Sequence, residues 1–72
     1  METLKISLAA ARVNAGMTQK DAAEAMHVST QTIVNWEKGR IEPRIGDSEK
    51  LCRLYKIPYD NIFFNGKSTI SR

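Results

Sequence analysis

The chain has 72 residues and a mass of 8.1 kDa, enough for one domain with a small core and no separate catalytic or ligand-sensing module. Eleven Lys+Arg against eight Asp+Glu give a net charge of +3 and a pI near 9.3, mildly basic and compatible with a polyanionic partner without demanding one. A hydrophobic fraction of 42% excludes wholesale disorder, and the lone cysteine, Cys52, excludes a disulfide-stapled miniprotein and points to a reducing cytoplasm.

At the start, METLKISLAAARVNAG places Glu2 ahead of its apolar stretch and Arg12 inside it. It is expected to be neither a signal peptide nor a membrane span, which needs about 20 consecutive apolar residues. Leu4, Leu8, Ala11 and Ala15 recur at helical steps, with Gly16 where a left-handed C-cap belongs. Thr18 offers an N-cap hydroxyl and Asp21 the acid of a shortened capping box. The second helix then carries Ala22, Ala23, Ala25 and Met26 and ends near His27. Ser29 caps a third helix over 30–38, closed by Gly39. Its β-branched Thr30, Thr32, Ile33 and Val34 disfavour an isolated helix, so packing through Ile33 and Trp36 must hold it.

RIEPRIGD reads as a connector, with Pro43 barring continuation of the third helix. Asp47 or Ser48 is expected to open a fourth helix bearing Leu51, Cys52, Leu54 and Tyr55. Pro58 suits the first turn of a fifth, running to Phe63 or Phe64. The expectation is an all-α fold of five helices without a strand, with a domain over 1–66 and a frayed, disordered tail over 67–72.

Residues 18–40, TQKDAAEAMHVSTQTIVNWEKGR, strongly resemble the helix-turn-helix of the phage repressor/Cro-type (xenobiotic-response-element-type) regulators. The matching positions are Thr18-Gln19, Ala23, Val28-Ser29, Thr32-Ile33, Trp36-Glu37 and Gly39-Arg40, and the helix order matches over residues 4 to about 64. The resemblance implies a five-helix lambda-repressor-like domain with its helix-turn-helix in helices 2 and 3. In that architecture the second helix crosses the DNA backbone and the third lies in the major groove. Carried over by motif, Thr18 and Gln19 open helix 2 against a phosphate, where the helix's free N–H groups also point. Ser29, Lys38, Arg40 and Arg44 anchor further phosphates, while Thr30, Gln31 and Asn35 read bases, Thr32 being a short hydroxyl suited to backbone or thymine-methyl contact. Family members also often pair an arginine late in helix 1 with the glutamate ending helix 3, here Arg12 and Glu37. Two positions depart from the pattern. His27 stands where glycine is common, a site wanting positive φ, and Ala22 replaces the usual Leu, leaving Met26 or Trp36 to fill the space.

Bland readings stand beside these. Gln31 and Asn35 could be solvated helix-surface amides, and Lys38, Arg40 and Arg44 a solvated cationic surface diluted by Glu42. His27 has no second ligand near it, so no metal site is expected, and Cys52 beside Leu51 and Leu54 reads as a buried apolar group. No nucleophile–base constellation or phosphate loop is present, so no enzyme and no cofactor are expected. The expected function is a cytoplasmic, sequence-specific DNA-binding transcriptional regulator, a Cro-like repressor on double-stranded DNA. It is expected to form a weak homodimer on a palindromic operator, without a membrane or small-molecule ligand. The alternative is a helix-turn-helix protein-interaction module such as an antitoxin or complex subunit. Of the adjacent Phe63 and Phe64, one should pack inward with Ile62 and the other stay near the surface as a two-fold contact.

Overall fold

The computed structural model describes residues 5–64. Strand β1 (Ile6–Ser7) leads into α1 (Leu8–Asn14), α2 (Gln19–Met26), α3 (Thr30–Lys38) and α4 (Ile45–Tyr55). A single 3-10 turn (Tyr59–Asn61) and strand β2 (Ile62–Phe63) follow. The two strands pair in parallel, Ile6 with Ile62 and Ser7 with Phe63.

Each helix start follows from a local hydrogen bond. Ser7 Oγ accepts from the Ala10 N–H at 3.0 Å, so α1 opens at Leu8; Leu4 lies outside the described residues. At α2 the box is reciprocal: Thr18 Oγ1 accepts from the Asp21 N–H at 3.0 Å, and Asp21 Oδ2 accepts from the Thr18 N–H at 2.9 Å. The latter bond, strengthened by the Thr18 hydroxyl, holds the Asp21 carboxyl below its ordinary value of 3.8. Ser29 Oγ takes the Thr32 N–H at 3.1 Å to open α3. α4 begins earlier than Asp47 or Ser48: Arg44 is its N-cap, without a side-chain capping bond, and the Ser48 N–H donates to the Arg44 carbonyl at 2.8 Å.

The fifth helix is replaced. After Pro58 the chain makes only one 3-10 turn before Ile62 and Phe63 extend alongside β1, giving four α-helices among the described residues. Aromatic and β-branched side chains fit a pleated surface, and here a partner strand is present to receive them. Alternation along an extended chain, not a helical angle, separates the side chains: Ile62 is buried, Phe63 is 48% exposed, and half-buried Phe64 packs its ring 5.5 Å from that of Tyr59. The strand pair likewise corrects the expectation of no strand. The expected tail, 67–72, lies outside the described residues.

One core joins all four helices. Ile33 and Trp36 from α3 meet Ala22, Ala23 and Met26 from α2, Leu8 and Ala11 from α1, and Leu51 and Tyr55 from α4. Ala22 is fully buried, with both Met26 and Trp36 in the same cluster. Two adjacent alanines let α2 and α3 approach closely, which fixes the angle at which α3 leaves the body of the protein.

Candidate nucleic-acid interface

The segment between α2 and α3 is three residues long and sharply bent. His27 adopts the left-handed conformation, φ 61° and ψ 41°, and the Val28 N–H donates back to the Ala23 carbonyl at 3.0 Å. Histidine tolerates this region better than a β-branched residue would. Val28 then packs against the core and Ser29 starts α3.

Beneath α3 lies a polar anchor. Arg12 Nε donates to Glu37 Oε2 at 2.7 Å and Nη2 to Oε1 at 3.4 Å, while Nη1 donates to the Met17 carbonyl at 2.9 Å. Both side chains are withdrawn from solvent, Arg12 to 13% exposure and Glu37 to 6%. Gln19 Nε2 adds a 3.0 Å bond to Glu37 Oε1. The end of α1, the start of α2 and the end of α3 thus converge on one carboxylate. Nearby, the Tyr55 hydroxyl is pushed up to about 12, chiefly by burial, with the Glu37 charge contributing to the rise and Arg12 opposing it.

What α3 turns outward is polar. Ser29, Thr30, Gln31 and Lys38 are exposed, Thr32 and Asn35 half-buried. Ser29 Oγ and Thr32 Oγ1 lie 2.9 Å apart, and Gln31 Nε2 donates to Asn35 Oδ1 at 3.1 Å. Arg40 and Arg44 are exposed on the connector that follows, and Thr18 is exposed at the start of α2. Gln19, expected to face a phosphate at the start of α2, is half-buried with one donor engaged by Glu37. Ile41 and Ile45, each directly after one of the two connector arginines, are 52% and 77% exposed and carry no signal of this in the sequence pattern. Among the described residues no group of three or more His, Cys, Asp or Glu is placed to hold a metal ion. Cys52 is buried, and desolvation, with Glu49 nearby, raises its thiol above the ordinary value, the opposite of an activated nucleophile.

Residues 8–62, from the first residue of α1 to the first of β2, match the helix-turn-helix family model HTH_3. The chain belongs to this helix-turn-helix family. It is 34% identical over 62 residues to the HTH-type transcriptional regulator ImmR of Bacillus subtilis, covering 86% of this chain and 47% of ImmR. It thus spans about half the length of that relative. An uncharacterised HTH-type transcriptional regulator of Methanocaldococcus jannaschii is 34% identical over 47 residues, 65% of this chain and 71% of the relative. Another, from Archaeoglobus fulgidus, is 33% identical over 52 residues, 72% of this chain and 74% of the relative. No solved structure matches the chain at a significant level. The HTH_3 match takes in both helices of the bent pair, the Arg12–Glu37 anchor and the whole outward face of α3. Among the described residues no helix is long and apolar enough to cross a membrane.

Proposed function

We propose that the chain is a sequence-specific DNA-binding transcriptional regulator, a Cro-like repressor that reads a palindromic operator with α3 in the major groove. The observation that carries this is the combination of a rigidly anchored α3, tied through Glu37 to α1 and α2, with an outward face of amides and hydroxyls. The relatives, all described as HTH-type transcriptional regulators, support the same reading. Thr30, Gln31 and Asn35 are the base readers and Thr32 a methyl or backbone contact. Ser29, Lys38, Arg40 and Arg44 anchor phosphates on either side, and Thr18 and Gln19 meet a third at the start of α2. The second N–H of the Gln19 amide, beyond the one given to Glu37, is the donor for that contact.

The binding unit comprises residues 1–66, and two copies related by a two-fold axis set their α3 helices about 34 Å apart, one DNA turn. Exposed Phe63 and Tyr59 are the apolar groups for a small self-complementary contact, completed on the operator. The deciding experiment is selection from a random duplex pool followed by titration from 50 to 200 mM salt. Enrichment of an inverted repeat, with affinity falling by orders of magnitude across that range, is the expected result. Failure to enrich any sequence, together with salt-insensitive binding to a protein partner, would establish the protein-interaction module instead.

A further inference from the structure

We infer that Gln31 and Asn35 read DNA as one coupled unit, with Gln31 committed to adenine and Asn35 acting as a donor that selects guanine on the neighbouring base pair. This rests on the DNA-binding function proposed above and specifies what its central side chains recognise. The two residues stand four apart on α3, and the Gln31 Nε2 to Asn35 Oδ1 bond of 3.1 Å lies on the exposed face. That bond assigns the remaining polar atoms. Gln31 keeps one N–H and its Oε1, a donor beside an acceptor, which complements the N7 and N6 amino group of adenine. Asn35 has its carbonyl turned to Gln31, so its NH₂ is what it offers DNA. Its two N–H groups suit guanine, whose N7 and O6 are adjacent acceptors, better than adenine N7 or thymine O4, which are single acceptors, and cytosine, whose edge presents an amino group, rejects them.

Spacing fits as well. Four residues rise about 6 Å along a helix, and the 3.1 Å hydrogen bond holds the two amides side by side, a joined pair able to span neighbouring base pairs stacked at roughly 3.4 Å. The bond also removes rotamer freedom from Gln31 before DNA arrives, so loss of Asn35 must weaken discrimination at the base that Gln31 contacts.

The test selects sites from a random duplex pool with wild type, Asn35→Asp and Asn35→Ala, then measures relative affinities on single-base variants. Relative preference cancels the uniform weakening that an added negative charge imposes, and circular dichroism confirms that each exposed-face variant is folded. Wild type should prefer adenine next to guanine on adjacent base pairs. Asn35→Asp still accepts from Gln31 but reads through a carboxylate, so guanine should give way to cytosine while adenine is retained. Asn35→Ala should lose the guanine preference and also cut the adenine preference, by about tenfold each. An adenine preference untouched by Asn35→Ala would overturn the coupling, as would a wild-type half-site lacking the adenine–guanine step. Failure of wild type to enrich any sequence would instead overturn the DNA-binding function beneath it.

Discussion

Replacing Arg12 by Met while Glu37 remains asks how much of the fold hangs on the anchor under α3. The Glu37 carboxylate, 6% exposed, accepts two bonds from Arg12 and one from Gln19. Arg12→Met takes away the guanidinium and leaves the neutral Gln19 donor in place. Removing one partner of a buried pair costs about 3–5 kcal/mol because the other charge stays buried and uncompensated. The Gln19 bond and the residual exposure of Arg12 place the expected loss near the lower end, about 3 kcal/mol. Against a total of roughly 4–10 kcal/mol for a chain of this length, the variant should remain folded but melt about 12–24 °C lower. Glu37→Leu should cost about 2 kcal/mol, since Arg12 retains the Met17 carbonyl. The double variant removes both charges and leaves apolar groups of similar bulk, so its loss should be about 1–2 kcal/mol, well under the sum of the singles. Urea denaturation followed by circular dichroism measures all three. Single losses below about 1 kcal/mol, or a double loss equal to the sum, would refute the reasoning.

Four further outcomes are expected. Trp36→Ala, which empties a site 6% exposed at the centre of the core, should cost about 3–5 kcal/mol in a thermal melt. Asp21→Asn should lower stability at neutral pH only: the wild-type carboxyl is depressed on folding, so its contribution is complete above pH 3.8 and is lost as pH falls below that, where the two melting temperatures should converge. On the selected operator, Gln31→Ala should cost about 1–3 kcal/mol with relaxed preference, whereas Arg40→Ala should weaken all sequences alike and flatten the salt slope by about one unit, both read by fluorescence anisotropy. Phe63→Ser should fold, sediment as a monomer and lose its advantage on full over half operators, while Phe64→Ser, which disrupts the ring contact with Tyr59, should chiefly lower the melting temperature.

The sequence was most legible where structure is decided within four residues. The Thr18–Asp21 capping box, Ser29 and Gly39 as the two ends of α3, and positive φ at Gly16 and His27 are local chemistry, and each occurs as read. The start of α4 was misplaced because Arg44 caps it without a side-chain bond, so the familiar capping residues Asp47 and Ser48 drew the boundary inward. The segment 58–64 departs from the helix its composition predicts for a different reason. Ile62 and Phe63 are extended because they pair with Ile6 and Ser7, 56 positions away, and no local window contains that partner. The outward face of α3 is accessible from helical periodicity, which also places Gln31 and Asn35 one turn apart, within reach of their mutual bond. The Gln19–Glu37 bond is not accessible in this way, because it depends on how α2 meets α3, a tertiary fact.

The pairing of β1 with β2 also sets how the domain meets mechanical load. The strands run in the same direction, with Lys5 just before one and Phe64 just after the other. Tension applied between those two points pulls the strands in opposite senses along their common axis, so the joint is loaded in shear and its hydrogen bonds must yield together. A hairpin closing the same core would peel open one bond at a time. With only two residues in each strand the clasp is short, yet its geometry places resistance to stretching at the seam of the fold, directly ahead of α1, whose N-cap Ser7 lies in β1.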